Sequence, residues 1–248
     1  MSAVLAAVAV LPGLAVGSFL NVVAARLPER RSIVFPGSAC GACATPIAWY
    51  DNVPVVSYLL LRGRCRSCGT RIGVIYPAVE LTTAALLAGC LLAFGLSLRT
   101  AAAAVFCAAL VVVTATDLTH RIVPNRVVLP AAAVVLALMT VADPSPRWAI
   151  TATAASGFLL AAALAYPSGM GMGDVKLALL MGAALGGTAS VALMFAMVAA
   201  LIPSVVLLAR YGSKARKMAI PFAPFLALGS VVALFAGDAL VDAYLSVF

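Results

Sequence analysis

An all-α polytopic membrane protein, with about eight transmembrane helices and a small zinc-binding cytoplasmic insert, is the fold class this sequence predicts. Three observations lead there. Hydrophobic residues make up 65% of the 248 and charged residues only 10%, against roughly 45–50% and 25% in a soluble domain. The apolar residues come in runs long enough for helices, which satisfy their own backbone in lipid. The net charge is +8, but the bases sit in short segments between apolar runs, as in the loops of a membrane protein rather than on a nucleic-acid surface.

In chain order, the runs place spans at about 3–24, 78–97, 100–116, 127–142, 149–166, 175–187, 190–209 and 222–243. Met1 to Ala25 has no basic leader region, and its first base, Arg26, follows the apolar run. That order favours an uncleaved first span with its N-terminus outside. With this polarity, fourteen of the sixteen bases fall inside and only Arg99 and Arg147 outside, a strong positive-inside bias. Region 175–209 decides the count. One long helix there would carry the four bases at 210–217 outside, so the charge pattern predicts two spans hinged near Gly186 and Gly187. The domain reading is a first transmembrane helix (1–24), a tetracysteine insert (25–76) and a transmembrane core (77–248).

The insert carries Cys40-Gly-Ala-Cys43 and Cys65-Arg-Ser-Cys68. Two such pairs with 21 residues between them come close to a zinc-binding pattern, and four thiolates close a tetrahedron with no open position, which makes the metal structural. An insert of about 50 residues has too little core to fold alone, so a metal is its natural staple. Disulfides or redox chemistry are the alternatives, and a cytoplasmic location disfavours them. The surrounding arginines also allow a nucleic-acid-binding ribbon, although topology alone asks for them. No nucleic-acid partner is therefore expected. Cys90 and Cys107 lie mid-span and read as small core residues. His120 is the sole histidine, which rules out a histidine-rich metal site, and reads as a polar loop residue.

Three of the eight acids fall near the cytoplasmic boundary: Glu80, Asp117 and Asp174. Asp117 follows the apolar run Ala101–Thr116. Asp174 closes Gly169-Met-Gly171-Met-Gly173-Asp174, where glycines allow close backbone approach. Span parity brings both aspartates to one side on different helices. Two carboxylates sharing a proton are the working unit of an aspartic protease: the ionised one deprotonates water and the protonated one donates to the scissile carbonyl. The pair titrates as a unit, so neither residue is given a fixed role. The competing readings are that Asp174 is only an N-cap and that Asp117 only pairs with Arg121 or Lys176. A transporter or channel using boundary acids as a proton or ion relay is the alternative function; it predicts mid-membrane charges and inverted repeats, and no repeat is evident.

The sequence resembles the bacterial prepilin peptidases, membrane aspartic proteases that process type IV prepilins and type II secretion pseudopilins. The blocks that carry the likeness run in order along nearly the whole chain: Gly17-Ser-Phe-Leu-Asn21 through Arg26-Leu-Pro28; the CxxC pairs around Trp49-Tyr-Asp51-Asn52-Val-Pro54; Tyr76-Pro-Ala-Val-Glu80; Asp117 with Ile122-Val-Pro124-Asn125; the GxGD block Gly171-Met-Gly173-Asp174-Val-Lys176; and Ile220-Pro-Phe-Ala-Pro-Phe. Gly41 stands where the family often has Pro, and Ala223 where it commonly has Gly. The resemblance implies cleavage of a basic leader by Asp117 and Asp174, with Gly171, Gly173 and Lys176 in support, in the bacterial inner membrane. It also implies N-methylation of the new terminus with S-adenosylmethionine, although no methyl-donor fingerprint is visible. Asn21, Asp51, Asn52 and Glu80 are candidate contributors to substrate or donor binding; for Glu80, pairing with a nearby arginine is the alternative.

Overall fold

The computed structural model describes residues 2–166, 170–212 and 220–246. Gly169 and the bases Lys214, Arg216 and Lys217 lie outside the described residues. The described chain is all-helical, and its only β-pairing is two isolated bridges in the insert. It divides into two compact units, Met1–Leu96 and Ser97–Phe248. It is a multi-pass membrane protein: seven segments are long and apolar enough to cross a membrane.

The first unit is a helical hairpin with the insert at its open end. Helix α1 (Ser2–Arg26) packs along α3 (Ile75–Phe94). A Cβ at Gly13 would lie 2.7 Å from Ala84 Cα, and one at Gly17 2.6 Å from Glu80 Cα. One turn on, Asn21 Nδ2 donates to Tyr76 O at 3.0 Å. As the α1 residue number rises by four, its α3 partner falls by four, so the helices are antiparallel. Gly13-xxx-Gly17 is a small-residue face that lets the backbones touch; the sequence reading passed over it. Between the two helices stand a 3-10 turn (Trp49–Asp51) and the short helix α2 (Val56–Leu60).

The second unit is a bundle of α4 (Leu98–His120), α5 (Asn125–Ala142), α6 (Arg147–Ala165), α7 (Met172–Leu185), α8 (Ala189–Tyr211) and α9 (Ala223–Leu245). One continuous core fills it, with Phe106, Leu159, Leu177, Leu180, Met181 and Leu226 fully buried. Small residues set the helix spacing. A Cβ at Gly182 would meet Thr151 O at 2.3 Å, and one at Gly229 would meet Ala192 O at 2.2 Å.

The apolar stretch 172–211 is one crossing segment by length and two helices by geometry. Its chain turns at a 3-10 stretch, Gly186–Thr188. Gly173 abuts Val123 just beyond the end of α4, and Gly186 abuts Trp148 at the start of α6. Helix α7 therefore runs from the end holding residues 121–124 to the other end. Helix α8 returns, because Thr188 lies against Gly237 of α9 and Ala192 against Gly229. The hinge sits where the sequence predicts it. With 14 residues, α7 is about 21 Å long, short of a full hydrocarbon crossing of about 30 Å.

Two expectations shift. His120 is the last residue of α4 rather than a loop residue, because apolar Leu118 and the helix-compatible Thr119 carry the helix past Asp117. The third helix begins at Ile75, three residues before the predicted span, so Tyr76 and Glu80 lie in its first two turns.

Candidate active site and metal centre

Asp117 occupies the last turn of α4 and is buried. Its Oδ2 accepts from the backbone N–H of Ala223 at 3.2 Å. Ala223 is fully buried at the first position of α9, with proline following. A helix N-terminus thus points its unpaired N–H at this carboxylate. Asp174 stands in the first turn of α7, where its backbone N–H donates to Gly171 O at 3.1 Å. The N-cap residue of α7 is Gly171 rather than Asp174. Gly173, beside Asp174, abuts Val123 just past the end of α4 that carries Asp117, so the two carboxylates sit at one end of the bundle.

Glycine is required beside Asp174. A Cβ on Gly173 would lie 2.7 Å from Val123 Cβ, so the GxGD turn can press against the segment following α4 only without a side chain there. Lys176 Nζ donates to Asn125 Oδ1 at 3.0 Å, a second tie between α7 and the start of α5. Neither aspartate forms an ion pair among the described residues, whose three pairs are Arg31–Glu29, Arg66–Asp51 and Arg147–Asp143. Asp117 makes no ion pair with Arg121 or Lys176 among the described residues, and the lysine is engaged by Asn125.

The four cysteines of the insert come together with their sulfurs all within 4.8 Å of one another. Cys40 Sγ and Cys68 Sγ are 3.8 Å apart; a zinc tetrahedron with bonds of about 2.3 Å has edges near 3.8 Å. The cluster could hold a metal ion such as zinc. Each pair sits in the same tight turn. Cys40 N donates to Thr45 O and Ala44 N to Cys40 O, while Cys65 N donates to Thr70 O and Gly69 N to Cys65 O. Ala44 and Gly69, at matching positions, both have φ near +60 to +70°. Cys43 Sγ bonds Thr45 Oγ1 at 3.2 Å and Cys68 Sγ bonds Thr70 Oγ1 at 3.3 Å. The threonine hydroxyl and backbone N–H lower the Cys68 thiol to about 6 and hold Cys43 below its usual range, which favours the thiolate a metal requires. The sequence reading missed the threonines, although Cys-x-x-Cys-x-Thr recurs after 25 residues and carries the signal.

The remaining candidates fall in the first unit. Glu80, buried between α1 and α3, accepts from Val55 N–H at 2.8 Å; among the described residues no arginine pairs with it. Asn21 is spent on Tyr76 O. Asp51 takes Arg66 in a bidentate bond of 2.7 and 2.6 Å, and the guanidinium holds its carboxyl below the usual carboxylate range. Asn52 closes the 3-10 turn through its backbone N–H to Trp49 O. Gly171 is the N-cap of α7.

Residues 11–94 match the bacterial peptidase A24 N-terminal domain, and residues 104–209 match the type IV leader peptidase family. The chain is 36% identical over 241 residues to a prepilin leader peptidase/N-methyltransferase of Bacillus subtilis, covering 94% of this chain and 95% of that protein. The chain belongs to the type IV leader peptidase family. A protein of the same name from Burkholderia pseudomallei is 36% identical over 93% of this chain and 85% of its own. One from Myxococcus xanthus is 41% identical over 70% of this chain and 43% of its own. No solved structure matches. The two matched stretches meet close to the boundary between the compact units at Leu96 and Ser97, so one family domain corresponds to the hairpin with its cysteine cluster and the other to the bundle with its aspartates. Helix α9 follows the second matched stretch, yet supplies the N–H that holds Asp117.

Proposed function

We propose that this chain is a membrane aspartic endopeptidase that removes the basic leader of type IV prepilins or type II secretion pseudopilins at the cytoplasmic face of the inner membrane, and then N-methylates the new terminus with S-adenosylmethionine. One observation carries the reading: Asp117 and Asp174, 57 residues apart in sequence, are held at one end of a packed bundle. In this mechanism the ionised member takes a proton from water as the oxygen attacks the scissile carbonyl carbon. The protonated member donates to the carbonyl oxygen, and collapse of the tetrahedral species passes a proton to the departing amine. The Ala223 N–H orients the Asp117 carboxylate. Gly173 lets α7 press against the segment following α4, and the Lys176–Asn125 bond ties α7 to α5.

The orientation proposed has the N-terminus outside and both the insert and the aspartates cytoplasmic. It is supported by Arg121, Arg126, Lys176 and Arg210 belonging to one end of the bundle and Arg99 and Arg147 to the other. In the domain reading, a first helix (1–24) and a metal-stapled insert (25–76) precede the peptidase core (77–248). Cys40, Cys43, Cys65 and Cys68 are assigned a structural zinc. Methyl transfer follows from the relatives' N-methyltransferase name, with Asn21, Asp51, Asn52 and Glu80 as candidate contributors to substrate or donor binding. The test is incubation of the purified chain with a prepilin and S-adenosylmethionine, read by mass spectrometry. The product expected is a mature chain shortened by its leader and carrying one methyl group at its terminus. Intact prepilin after incubation would refute the peptidase assignment, and an unmethylated mature terminus the transferase.

A further inference from the structure

The segment Trp49–Leu61 exposes apolar side chains that belong in a hydrophobic phase. Trp49 is 83% exposed, Leu59 68% and Leu60 78%, with Tyr50 and Val56 beside them. They form one local body. Ser57 Oγ donates to Tyr50 O at 2.9 Å and accepts from Val53 N–H at 3.1 Å, which fastens α2 to the 3-10 turn, and Trp49 meets Tyr50 edge to face.

Its depth is set by Glu80. Val55 N–H reaches this carboxylate five residues inside α3, about 7 Å below the helix start at 1.5 Å per residue. The segment thus lies beside the first turns of a spanning helix. That is the depth of an interfacial amphipathic element, which buries its apolar face about 5–10 Å into the headgroup boundary. Its charge suits an anionic surface. Of the insert's arginines, Arg31 and Arg66 pair with its two acids, Glu29 and Asp51. Arg30, Arg62, Arg64 and Arg71 have no acid partner among the described residues.

We propose that Trp49–Leu61 is an interfacial anchor that seats the cysteine-cluster insert in the headgroup layer of an anionic leaflet, with Trp49, Leu59 and Leu60 in the acyl boundary and the unpaired arginines on lipid phosphates. Glu80 is then the positioning residue that fixes the anchor's depth. The inference needs α1 and α3 to span the membrane and is independent of the peptidase assignment.

Trp49 and Trp148 are the two tryptophans, so the difference between the native chain and Trp49→Phe isolates Trp49. Both are reconstituted in lipid nanodiscs containing phosphatidylglycerol or phosphatidylcholine alone, with bromine placed shallow or deep on the acyl chains. Shallow bromine should quench about half or more of the Trp49 emission, deep bromine less, and the effect should be at least about twofold stronger with phosphatidylglycerol. Leu59→Glu with Leu60→Glu should shift the emission to the red. Trp49 that is open to acrylamide and untouched by bromine is in water, which overturns the proposal. Protection from both quenchers means protein covers it, and equal quenching in the two lipids removes the anionic partner; either result also overturns it.

Discussion

Between residues 27 and 74 only Ser57 and Gly63 are buried, while along α4 alone Phe106, Leu110, Val112 and Val113 are almost wholly buried. The insert keeps its four sulfurs together by paired hydrogen-bonded turns and has no apolar interior. The bundle keeps its two carboxylates together by helices packed so closely that single Cβ atoms do not fit. A bound ion would give the first arrangement its stability, whereas the second rests on shape. The two regions should therefore fail under different insults.

The largest effect expected is on chemistry. Asp117→Asn and Asp174→Asn should each lower prepilin cleavage by at least about 10²-fold with helical content in detergent unchanged, since the amide is isosteric with the carboxyl and its oxygen can still accept the Ala223 N–H at position 117. Cleavage surviving in either variant would take that residue out of the mechanism. Next comes the metal. Chelation, or Cys65→Ser, should release zinc and open residues 25–76 to protease, because little else holds the insert; an insert equally resistant without metal would mean that its turns suffice. The packing contacts follow. Gly229→Ala and Gly182→Ala each drive a Cβ into a backbone carbonyl and should cost about 1–3 kcal/mol in thermal unfolding. Gly173→Ala drives a Cβ onto Val123 Cβ and should cost a similar amount of stability and more activity, because Asp174 is its neighbour. The smallest effect is at Lys176→Met, which removes one exposed bond to Asn125 and should change cleavage only a few-fold; a total loss would place the ammonium in the reaction itself.

What could be read from the sequence follows from the range of each interaction. The spans, the hinge at Gly186–Gly187 and the cysteine cluster rest on composition, charge parity and short spacing, all of which are local. The GxGD turn announces its tightness, but not that Val123 is what it presses against. The bond from Ala223 to Asp117 crosses 106 residues, and no periodicity reports it. The late block Ile220-Pro-Phe-Ala-Pro stands out only as a family likeness until α9 is seen to begin at that carboxylate. Glu80 shows the same limit. A lone acid near the start of a span invites an arginine, and the partner it finds is a backbone N–H of the insert, 25 residues earlier. The start of α3 was misplaced because Ile75-Tyr-Pro gives no sharp change in hydropathy, and a proline in the first turn is tolerated by a helix.

The central claim is that two carboxyl groups from α4 and α7 meet at one end of the bundle. Thiols placed at both positions test it without relying on activity. Asp117→Cys with Asp174→Cys, treated in native membranes with a short bifunctional thiol reagent, should yield a peptide joining the two sites by mass spectrometry, absent from either single variant. Cys90 and Cys107 are buried and should stay silent, and any link from Cys40, Cys43, Cys65 or Cys68 joins other peptides that mass separates. If each thiol is labelled singly by the reagent and no joined peptide forms, the carboxylates do not face one another, and the account of this site is wrong.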